Sequence, residues 1–324
     1  MEHRFCVAPM LGATDRHFRY FIRHLTKRAV LYTELVNIRA ITSGKYTSFA
    51  NFDDLGSPVA LQLAGCEPDL FAESAVLGEK WGFDEINVNL GCPSPRGVDG
   101  GFGARLMLEP ELMARCVKAM CARVSCPVTV KCRLGVGNDY PLTRFIDFVG
   151  LLHEAGCNTF IIHARGGNIE WMNTKQNRSL LELRYDDVYK VKELFPQLEI
   201  VINGNIATME QCQEHLKRVD GVMMGRVAYH NPYVLADVDR VIYGDERFTP
   251  PTRREFLEAI LPYIAREMDK GVYLSHFTRH LLGVYHGCRR SRAWKQYLTE
   301  NVADKKAGLE VLRRGIELAE QDYS

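Results

Sequence analysis

The amino-acid sequence predicts an α/β fold, a TIM (βα)8 barrel followed by a small C-terminal helical bundle. Short β-rich runs recur about every 25 to 35 residues, and most are followed by helical periodicity, as repeated βα units require. Most of these runs are continuously apolar, as expected for parallel strands that are covered on both faces. After the eighth run no further strand is predicted, and apolar residues follow helical spacing only.

The barrel elements are predicted in order along the chain. The eight predicted strands are residues 5–10, 31–36, 59–65, 85–92, 128–134, 159–164, 199–203 and 221–225. The predicted helices are residues 14–25, 68–81, 110–124, 141–155, 186–195 and 208–217. Three of these helices begin at a proline, which the first helical turn tolerates. Eight strands in this pattern are the number of a TIM barrel.

The βα pattern stops after the eighth strand, and the pair Pro250 and Pro251 follows. Beyond it, from Phe256 onward, apolar residues recur at helical spacing. We therefore expect a barrel domain over residues 1–245 and a helical domain over residues 252–324, packed as a small bundle.

The composition is that of an ordinary globular protein. The 324 residues include 41 Lys and Arg against 40 Asp and Glu, and 46% are hydrophobic, which excludes a disordered or collagen-like chain. No apolar run reaches the length of about 18 residues that a membrane span needs, and the first residues show no signal-peptide pattern, so we expect a cytoplasmic protein. The ten cysteines form no C-x-x-C pair and no common zinc spacing, so we expect free thiols and no metal.

Polar side chains follow most of the predicted strands, at the end of a TIM barrel where functional residues gather. They are Gln62, Asn87, Asn89, Lys131, Arg133, His163, Arg165, Asn203 and Arg226. A lysine and a histidine from neighbouring strands can stabilise negative charge that develops on a planar heterocycle. A lysine flanked by apolar residues is costly to bury without a partner, whereas His163 alone is equally compatible with a hydrogen-bonded core histidine.

Glycine turns follow the last two strands, where TIM barrels commonly bind phosphate. These turns contain Asn203, Gly204 and Asn205, and then Gly225 and Arg226. Each turn alone is a weak signal, because tight βα turns need glycine in any case. Together with Gln62, Lys131 and His163 they indicate a phosphorylated ring cofactor such as FMN.

The segment of residues 91–107 is unusually long and contains five glycines. We expect a mobile lid over the barrel mouth, because long connections in compact domains are more often functional than not. The alternative is a long connection without a function.

A basic stretch in the C-terminal region lacks carboxylates. Residues 275–299 hold Arg279, Arg289, Arg290, Arg292 and Lys295, interleaved with Tyr285, Trp294 and Tyr297. This composition suits contact with phosphates and packing on bases or riboses. The alternative is a solvated helix face with Trp294 in the core, which charge alone favours.

Linked motifs along nearly the whole chain resemble those of the tRNA-dihydrouridine synthase family, most closely the A-type bacterial subfamily. They are Ala8-Pro9-Met10, Tyr32-Thr33-Glu34, Ala60-Leu61-Gln62-Leu63, Asn87-Val88-Asn89-Leu90-Gly91-Cys92-Pro93-Ser94, Val130-Lys131, His163-Ala164-Arg165, Asn203-Gly204, Gly225-Arg226, Thr278-Arg279-His280 and Arg292-Ala293-Trp294. The resemblance implies an FMN-binding TIM barrel, a helical tRNA-binding domain and NADPH as reductant. It also implies tRNA as the partner, and we expect a monomer.

The resemblance also implies roles for individual residues. Pro9, Met10 and Leu11 would pack on the flavin, Gln62 and Lys131 would bond its ring edge, and His163 would lie near the ring. The phosphate end would be held by Asn203, Gly204, Asn205, Gly225 and Arg226. The residues expected to contact RNA are Arg178, Arg279, Arg289, Arg290, Arg292 and Lys295. The candidate catalytic residues are Asn89, Cys92, Arg105, Lys131 and His163.

The sequence departs from this resemblance in the lid segment. The resemblance implies a cysteine proton donor at position 105, where this chain has arginine, whose proton is held too tightly for acid catalysis near neutral pH. A second departure is Leu181-Glu182-Leu183, where the resemblance implies Pro-Pro-Leu.

Three explanations of Arg105 stay open. The chain still reduces uridine and takes the proton from water, Cys92 or another group; it binds flavin and tRNA without reduction; or Arg105 anchors a different, anionic substrate. The flavin-side residues favour a working redox site, and Arg279, Arg292 and Trp294 favour an RNA partner.

Overall fold

The computed structural model describes residues 1–44, 56, 58–94, 100–137, 140–170, 172–173 and 175–321. Within them, nine parallel strands form one closed sheet. They are β1 (Phe5–Val7), β2 (Val30–Tyr32), β3 (Val36–Asn37), β4 (Val59–Ala64), β5 (Glu85–Leu90), β6 (Val128–Arg133), β7 (Thr159–His163), β8 (Glu199–Asn203) and β9 (Gly221–Met224). The prediction of a TIM barrel is confirmed.

The second barrel position is occupied by two short strands instead of the single strand predicted over residues 31–36. Both β2 and β3 pair with β4, and the β2–β4 pairing closes the barrel. The hydroxyl of Thr33 accepts the backbone N–H of Gln62 at 3.0 Å, in the place where a strand carbonyl would accept it. This side-chain bond interrupts the ladder and accounts for the break.

Helices surround the sheet and continue beyond it. The barrel region contains α1 (Arg16–Arg23), α2 (Ile38–Thr42), α3 (Pro68–Lys80), α4 (Pro110–Cys121), α5 (Leu142–Glu154), α6 (Gln176–Ser179), α7 (Tyr185–Leu194), α8 (Met209–His215), α9 (Arg226–His230) and α10 (Val238–Val241). The C-terminal region contains α11 (Arg253–Asp269), α12 (Ser275–Leu281), α13 (Ser291–Asn301) and α14 (Leu309–Glu320). None of these helices is long and apolar enough to cross a membrane.

Local sequence signals explain several helix ends. Pro68 and Pro110 occupy the first turns of α3 and α4, as predicted, whereas Pro141 directly precedes α5. Capping boxes begin two helices: Thr208 with Gln211 at α8, and Thr252 with Glu255 at α11. Each box satisfies backbone N–H groups that the first turn leaves without partners.

The strands are buried on both faces, which explains their continuous apolar sequence. One face packs against the helices, and the other fills the barrel interior. The small interior core consists of Cys6, Ala8, Val30, Tyr32, Ala60, Ile161, Val201 and Met223. Polar residues lie on both sides of this apolar core. It separates the barrel mouth, at the carboxyl ends of the strands, from the barrel floor, at their amino ends.

The floor of the barrel is a buried polar cluster around His3. The imidazole bonds Glu85 through Nε2 and Glu199 through Nδ1, the latter at 2.8 Å. Tyr32 and Thr129 donate their hydroxyls to Glu85 at 2.9 and 2.5 Å. The bonds of the imidazole to Glu199 and Glu85 raise the pKa of His3 to about 10 although burial opposes the shift.

The C-terminal helices pack on the barrel through α1. The rings of Tyr20 and Tyr263 stack with centroids 3.7 Å apart, and His17 Nδ1 bonds the Tyr263 hydroxyl at 2.7 Å. Arg16 forms an ion pair with the buried Glu267 of α11. The division into domains of residues 1–245 and 252–324 stays a prediction.

Candidate active site

The polar side chains predicted at the strand ends come together at the barrel mouth. The strand register pairs Gln62 with Asn87, Asn89 with Lys131, and His163 with Asn203. Successive interior positions of a strand are two residues apart, so β5 and β6 each contribute a column of polar side chains. The mouth is therefore lined from five neighbouring strands, β4 to β8.

A chain of hydrogen bonds connects the mouth to the floor. Asn89 Nδ2 donates to Gln62 Oε1, Gln62 Nε2 donates to Asn87 Oδ1, and Asn87 Nδ2 donates to Thr129 Oγ1, each at 2.7 Å. Thr129 then donates to the Glu85 carboxylate. Because every bond points the same way, the carboxylate fixes the orientation of the Gln62 amide at the other end. Gln62 keeps one N–H and one lone pair for a ligand.

Lys131 is the ammonium group of the mouth. Its Nζ lies 3.3 Å from Asn203 Oδ1, and Asn203 is held in turn by a 2.7 Å bond from its Nδ2 to the Met223 carbonyl. Burial, and then the charge of Arg133, lower the pKa of Lys131 to about 8. The charged form is therefore costly here and gains from any bound anion.

His163 lies in a strongly cationic environment. Burial and four cations, namely Arg133, Lys131, Arg165 and Arg226, hold the pKa of the imidazole well below its usual range. The ring is therefore neutral at pH 7. The functional interpretation of His163 fits this surrounding better than a satisfied core histidine, because its buried Nδ1 has no hydrogen-bond partner among the described residues.

Two arginines near His163 also have buried nitrogens. The buried Nη1 of Arg165 and Nε of Arg178 have no hydrogen-bond partner within the part of the chain that the structure describes. Arg165 Nε donates to the Leu181 carbonyl at 2.6 Å, and Arg133 donates to Gly91 and Gly166, so these guanidiniums are fixed. Unsatisfied buried polar atoms beside several cations suit an anionic ligand with ring carbonyls. The residues present therefore fit a phosphorylated flavin.

The predicted phosphate turns lie beside these cations. Gly204 has a φ of 132°, and a side chain there would meet Leu183 at 3.1 Å. Asn205 also has a positive φ, of 52°, and its Oδ1 lies 3.5 Å from Arg226 Nη2. Gly225 precedes α9, which begins at Arg226. The two turns thus face each other through Asn205 and Arg226.

The loop after β1 contributes an apolar surface. Met10 is half-buried and its backbone N–H donates to Thr14 Oγ1 at 3.0 Å. Leu11 is 76% exposed, and Pro9 is half-buried. Together the three side chains form an apolar surface on this loop that a ligand or partner can contact.

Cys92 and Arg105 lie in the segment predicted to be a lid. The side-chain oxygen Oδ1 of Asn89 accepts the backbone N–H of Cys92 at 3.1 Å, and the thiol lies 3.3 Å from Ser94 Oγ. The chain then returns to this point, because Ala104 N–H donates to the Cys92 carbonyl at 2.9 Å. Residues 95–99 of the segment lie outside the described residues, and its mobility stays a prediction.

Position 103 must be glycine for this return. Gly103 has a φ of 82°, and a Cβ there would lie 2.5 Å from the Cys92 carbonyl oxygen. Arg105 follows on a 3-10 turn, with 40% of its side chain exposed and a guanidinium nitrogen 3.6 Å from Glu109. The thiol, in contrast, is within electrostatic range of Lys131, Arg133 and Arg178.

The residues predicted to contact RNA occupy four places. Arg289, Arg292 and Lys295 line an open groove of 660 Å³ at α13, together with Cys288, Ser291, Gln296, Thr299 and Glu300. Arg290 instead approaches Gln321 and the Leu318 carbonyl, Arg279 pairs with Asp15, and Arg178 lies at the mouth.

The aromatic residues of the basic stretch are divided by burial. Trp294 is fully buried and donates its Nε1 hydrogen to the Leu281 carbonyl at 3.0 Å, and Tyr285 is also buried. These two rings are therefore in the helical core and do not face a base, as the alternative with Trp294 in the core predicted. Tyr297 is half-buried.

Sequence reasoning missed Thr129 and Glu85 as part of the site. A signal was available, because Glu85, Asn87 and Asn89 alternate along β5 as Thr129 and Lys131 do along β6. The contact of Asp15 with Arg279 had no comparable signal, since the two residues lie 264 positions apart.

Comparison with known proteins decides the family. The profile of the family described as dihydrouridine synthase (Dus) matches residues 6–320. The chain belongs to the dihydrouridine synthase family. The predicted family and the predicted class, a flavin-dependent oxidoreductase, are thereby confirmed.

Bacterial relatives match this chain over nearly its full length. A Synechocystis protein named tRNA-dihydrouridine(20/20a) synthase is 46% identical over 311 residues, which cover 96% of this chain and 93% of the relative. A Pasteurella multocida protein of the same name is 45% identical over 313 residues, covering 97% and 95%.

A solved structure supports the barrel fold alone. The 6-hydroxypseudooxynicotine amine oxidase of Pseudomonas geniculata has a TM-score of 0.54 and 12% identity to this chain. The match covers 76% of this chain and 48% of the oxidase.

Proposed function

We propose that this dihydrouridine synthase binds FMN in the barrel mouth and reduces uridine in tRNA to dihydrouridine, with NADPH as the reductant. The main support for this proposal is the cation-lined mouth, in which buried nitrogens of His163, Arg165 and Arg178 lack hydrogen-bond partners among the described residues. Relatives about 45% identical over the whole chain are named tRNA-dihydrouridine(20/20a) synthases, which supports the same reaction here. A tRNA substrate favours the cytoplasm as its location.

Different residues of the mouth bind different parts of FMN in this proposal. Gln62 and Lys131 would hold the ring edge, where Lys131 would neutralise negative charge, and His163 would face the ring as a neutral imidazole. Pro9, Met10 and Leu11 would pack on the ring. Asn203, Gly204, Asn205, Gly225 and Arg226 of the two glycine turns would hold the phosphate end. When bound, FMN supplies the hydride that adds to C6 of the uracil.

We assign the matching proton at C5 to Cys92. A thiol donates its S–H hydrogen to C5, so the uracil gains one hydride and one proton, and the protein keeps a thiolate. Lys131, Arg133 and Arg178 lie within electrostatic range of this sulfur. The side-chain oxygen of Asn89 positions Cys92 by accepting the backbone N–H of Cys92.

Arg105 is not the proton donor in this proposal. A guanidinium holds its proton too tightly near neutral pH, and Arg105 lies close to Glu109 on the solvent side of its turn. Arg105 follows Ala104, whose backbone N–H bonds the Cys92 carbonyl, so Arg105 lies near Cys92 and can contact an anionic group of the substrate. Of the two alternatives, a repurposed oxidoreductase rests on that contact, whereas a tRNA-binding flavoprotein without reduction rests on the arginine in place of a proton donor at position 105.

Contacts with tRNA extend from the mouth to the C-terminal region in this proposal. Arg178 meets the nucleotide at the mouth, and the groove of Arg289, Arg292 and Lys295 meets phosphates farther along.

The deciding experiment is nucleoside mass spectrometry. Purified protein with FMN, NADPH and an unmodified tRNA transcript is expected to form dihydrouridine, and omission of NADPH to prevent it. Protein that takes up FMN and oxidises NADPH but leaves the transcript unchanged would favour a repurposed enzyme. A folded protein with no visible flavin absorbance after incubation with FMN would refute the redox interpretation.

A further inference from the structure

Asp15 is a junction between the barrel and the C-terminal helices. Its carboxylate accepts the backbone N–H of Phe18 at 2.9 Å, which caps α1. The same carboxylate pairs with Arg279 and bonds His280 Nε2 at 3.1 Å, both on α12. His280 is fully buried against the rings of Phe18 and Tyr229. The carboxylate therefore joins α1 to α12, and α9 packs against the same junction through the contact of Tyr229 with His280.

Arg279 extends this junction to the loop after β1. Its Nη1 donates to the Gly12 carbonyl at 3.4 Å, and its Nε donates to the His276 carbonyl at 3.2 Å. The Gly12 N–H donates to the Glu34 carboxylate on the other side of the loop. The loop that carries Met10 and Leu11 is thus held from the helical region and from the end of β2.

The charge balance favours this internal role over a phosphate contact. His280 and the Phe18 N–H hold the pKa of Asp15 well below its usual range although burial opposes the shift, so the carboxylate is ionised at neutral pH. A phosphate that approached Arg279 would compete with this carboxylate and be repelled by it. Sequence reasoning assigned Arg279 to RNA because it could not include Asp15.

We propose that Arg279 is a positioning residue for the cofactor, which, through Asp15 and the Gly12 carbonyl, fixes the loop carrying Met10 and Leu11 against the bound ring. The inference deepens the proposed function and rests on it only for the identity of the ligand as FMN. The helical region therefore does more than bind RNA, because it completes one wall of the mouth.

FMN affinity and RNA binding separate the two roles of Arg279. Removing a coupled contact typically changes affinity by about tenfold, so R279Q is expected to weaken FMN binding about tenfold in a fluorescence titration. The dependence of tRNA affinity on salt is expected to stay unchanged, and R279K is expected to recover part of the FMN affinity. A salt slope lowered by about one, with FMN affinity intact, would overturn the proposal and make Arg279 a phosphate contact.

Asp15 supplies the matched partner variant. D15N retains a side chain that caps α1 but removes the charge that Arg279 binds. It is expected to weaken FMN binding as R279Q does, and the double variant to be no worse than either single variant. Additive losses in the double variant would contradict the shared role. Arg254, an exposed arginine that pairs with Glu258 on α11, is the control, and R254Q is expected to match the wild type.

Hydrogen exchange tests the loop without any cofactor. The Met10 and Thr14 amides, which bond within the loop, are expected to exchange faster in R279Q and D15N than in the wild type. This readout stands even if the wild type forms no dihydrouridine, so failure of the proposed reaction and failure of the junction are told apart. Unchanged exchange in both variants would contradict the proposal.

Discussion

Cys92 and Arg105 lie on adjacent backbone segments but differ in chemistry. The Cys92 thiol has three cations within electrostatic range, whereas Arg105 is partly exposed near a glutamate. C92A is therefore expected to lower dihydrouridine formation by about 10²- to 10⁴-fold, the usual loss on removing a general acid. FMN affinity is expected to stay the same. The measurement is single-turnover formation of dihydrouridine in an unmodified transcript.

The control for this prediction is R105C. It places a thiol at the position where the family resemblance implied one, and with Cys92 as donor it is expected to change the rate by less than about threefold. A large gain in R105C, together with little loss in C92A, would move the proton donor to position 105.

Lys131 gives FMN binding a predicted pH dependence. Burial and Arg133 lower the pKa of its ammonium to about 8, so the charged form is present below this pH and is lost above it. The acceptor atoms of the ring edge bind the charged form more strongly than the neutral amine, so FMN affinity is expected to be level below pH 8 and to fall above it, by at most about tenfold per pH unit. Fluorescence titrations between pH 6 and 10 measure this profile.

Two variants, K131M and a control, test whether Lys131 causes this pH dependence. K131M is expected to bind FMN weakly at every pH, with the decline above pH 8 removed. Lys217, which pairs with Glu214 on the surface of α8, provides the control, and K217M is expected to retain the wild-type profile. A decline that persists in K131M would assign the titration to another group.

At the scale of elements, α13 presents the groove of Arg289, Arg292 and Lys295. Each phosphate contact adds about one unit to the slope of log affinity against log salt, so R292Q and K295Q are each expected to lower this slope by about one. Filter binding with an unmodified transcript between low and moderate salt measures it.

Arg290 belongs to the same basic stretch and supplies the comparison. Its guanidinium approaches the Leu318 carbonyl and Gln321 near the chain end, so R290Q is expected to leave the salt slope unchanged. An equal loss of slope in all three variants would indicate a diffuse positive field without a defined groove.

The elements themselves were largely predictable because hydrophobic periodicity and turn residues act locally. The helices from Pro68 and Pro110 begin at the predicted residues, as do the strands from Glu199 and Gly221. The break in the second strand was not predictable, because it depends on a hydroxyl of Thr33 that reaches a neighbouring strand.

At the scale of the whole molecule, predictability ends where distant segments meet. The polar columns of β5 and β6 follow from alternation within one strand, so the mouth residues Asn89 and Lys131 were found. The burial of Trp294 and the use of Arg279 depend on contacts with other helices, which a single stretch of sequence does not encode. The composition of the basic stretch therefore does not by itself separate the residues that face solvent from those held by other helices.

The barrel floor is the other long-range feature, and it makes stability depend on pH. His3 joins Glu85 of β5 to Glu199 of β8, and these carboxylates raise its pKa from 6.5 to about 10. A group whose pKa is higher in the folded state contributes its full stability below pH 6.5. This contribution declines as pH rises and is lost through about pH 10.

We therefore expect the free energy of unfolding to fall between pH 6.5 and 10 by up to about 1.4 kcal/mol per pH unit from this group. H3Q keeps hydrogen-bonding capacity but cannot carry the charge, so it is expected to be less stable at pH 6 and to lose this pH dependence. Urea unfolding of both proteins at pH 6, 7, 8 and 9 measures the difference between them, which cancels the titration of the buried thiols. Parallel pH curves for the two proteins would mean that His3 is neutral in the folded barrel and that the floor is held by neutral hydrogen bonds.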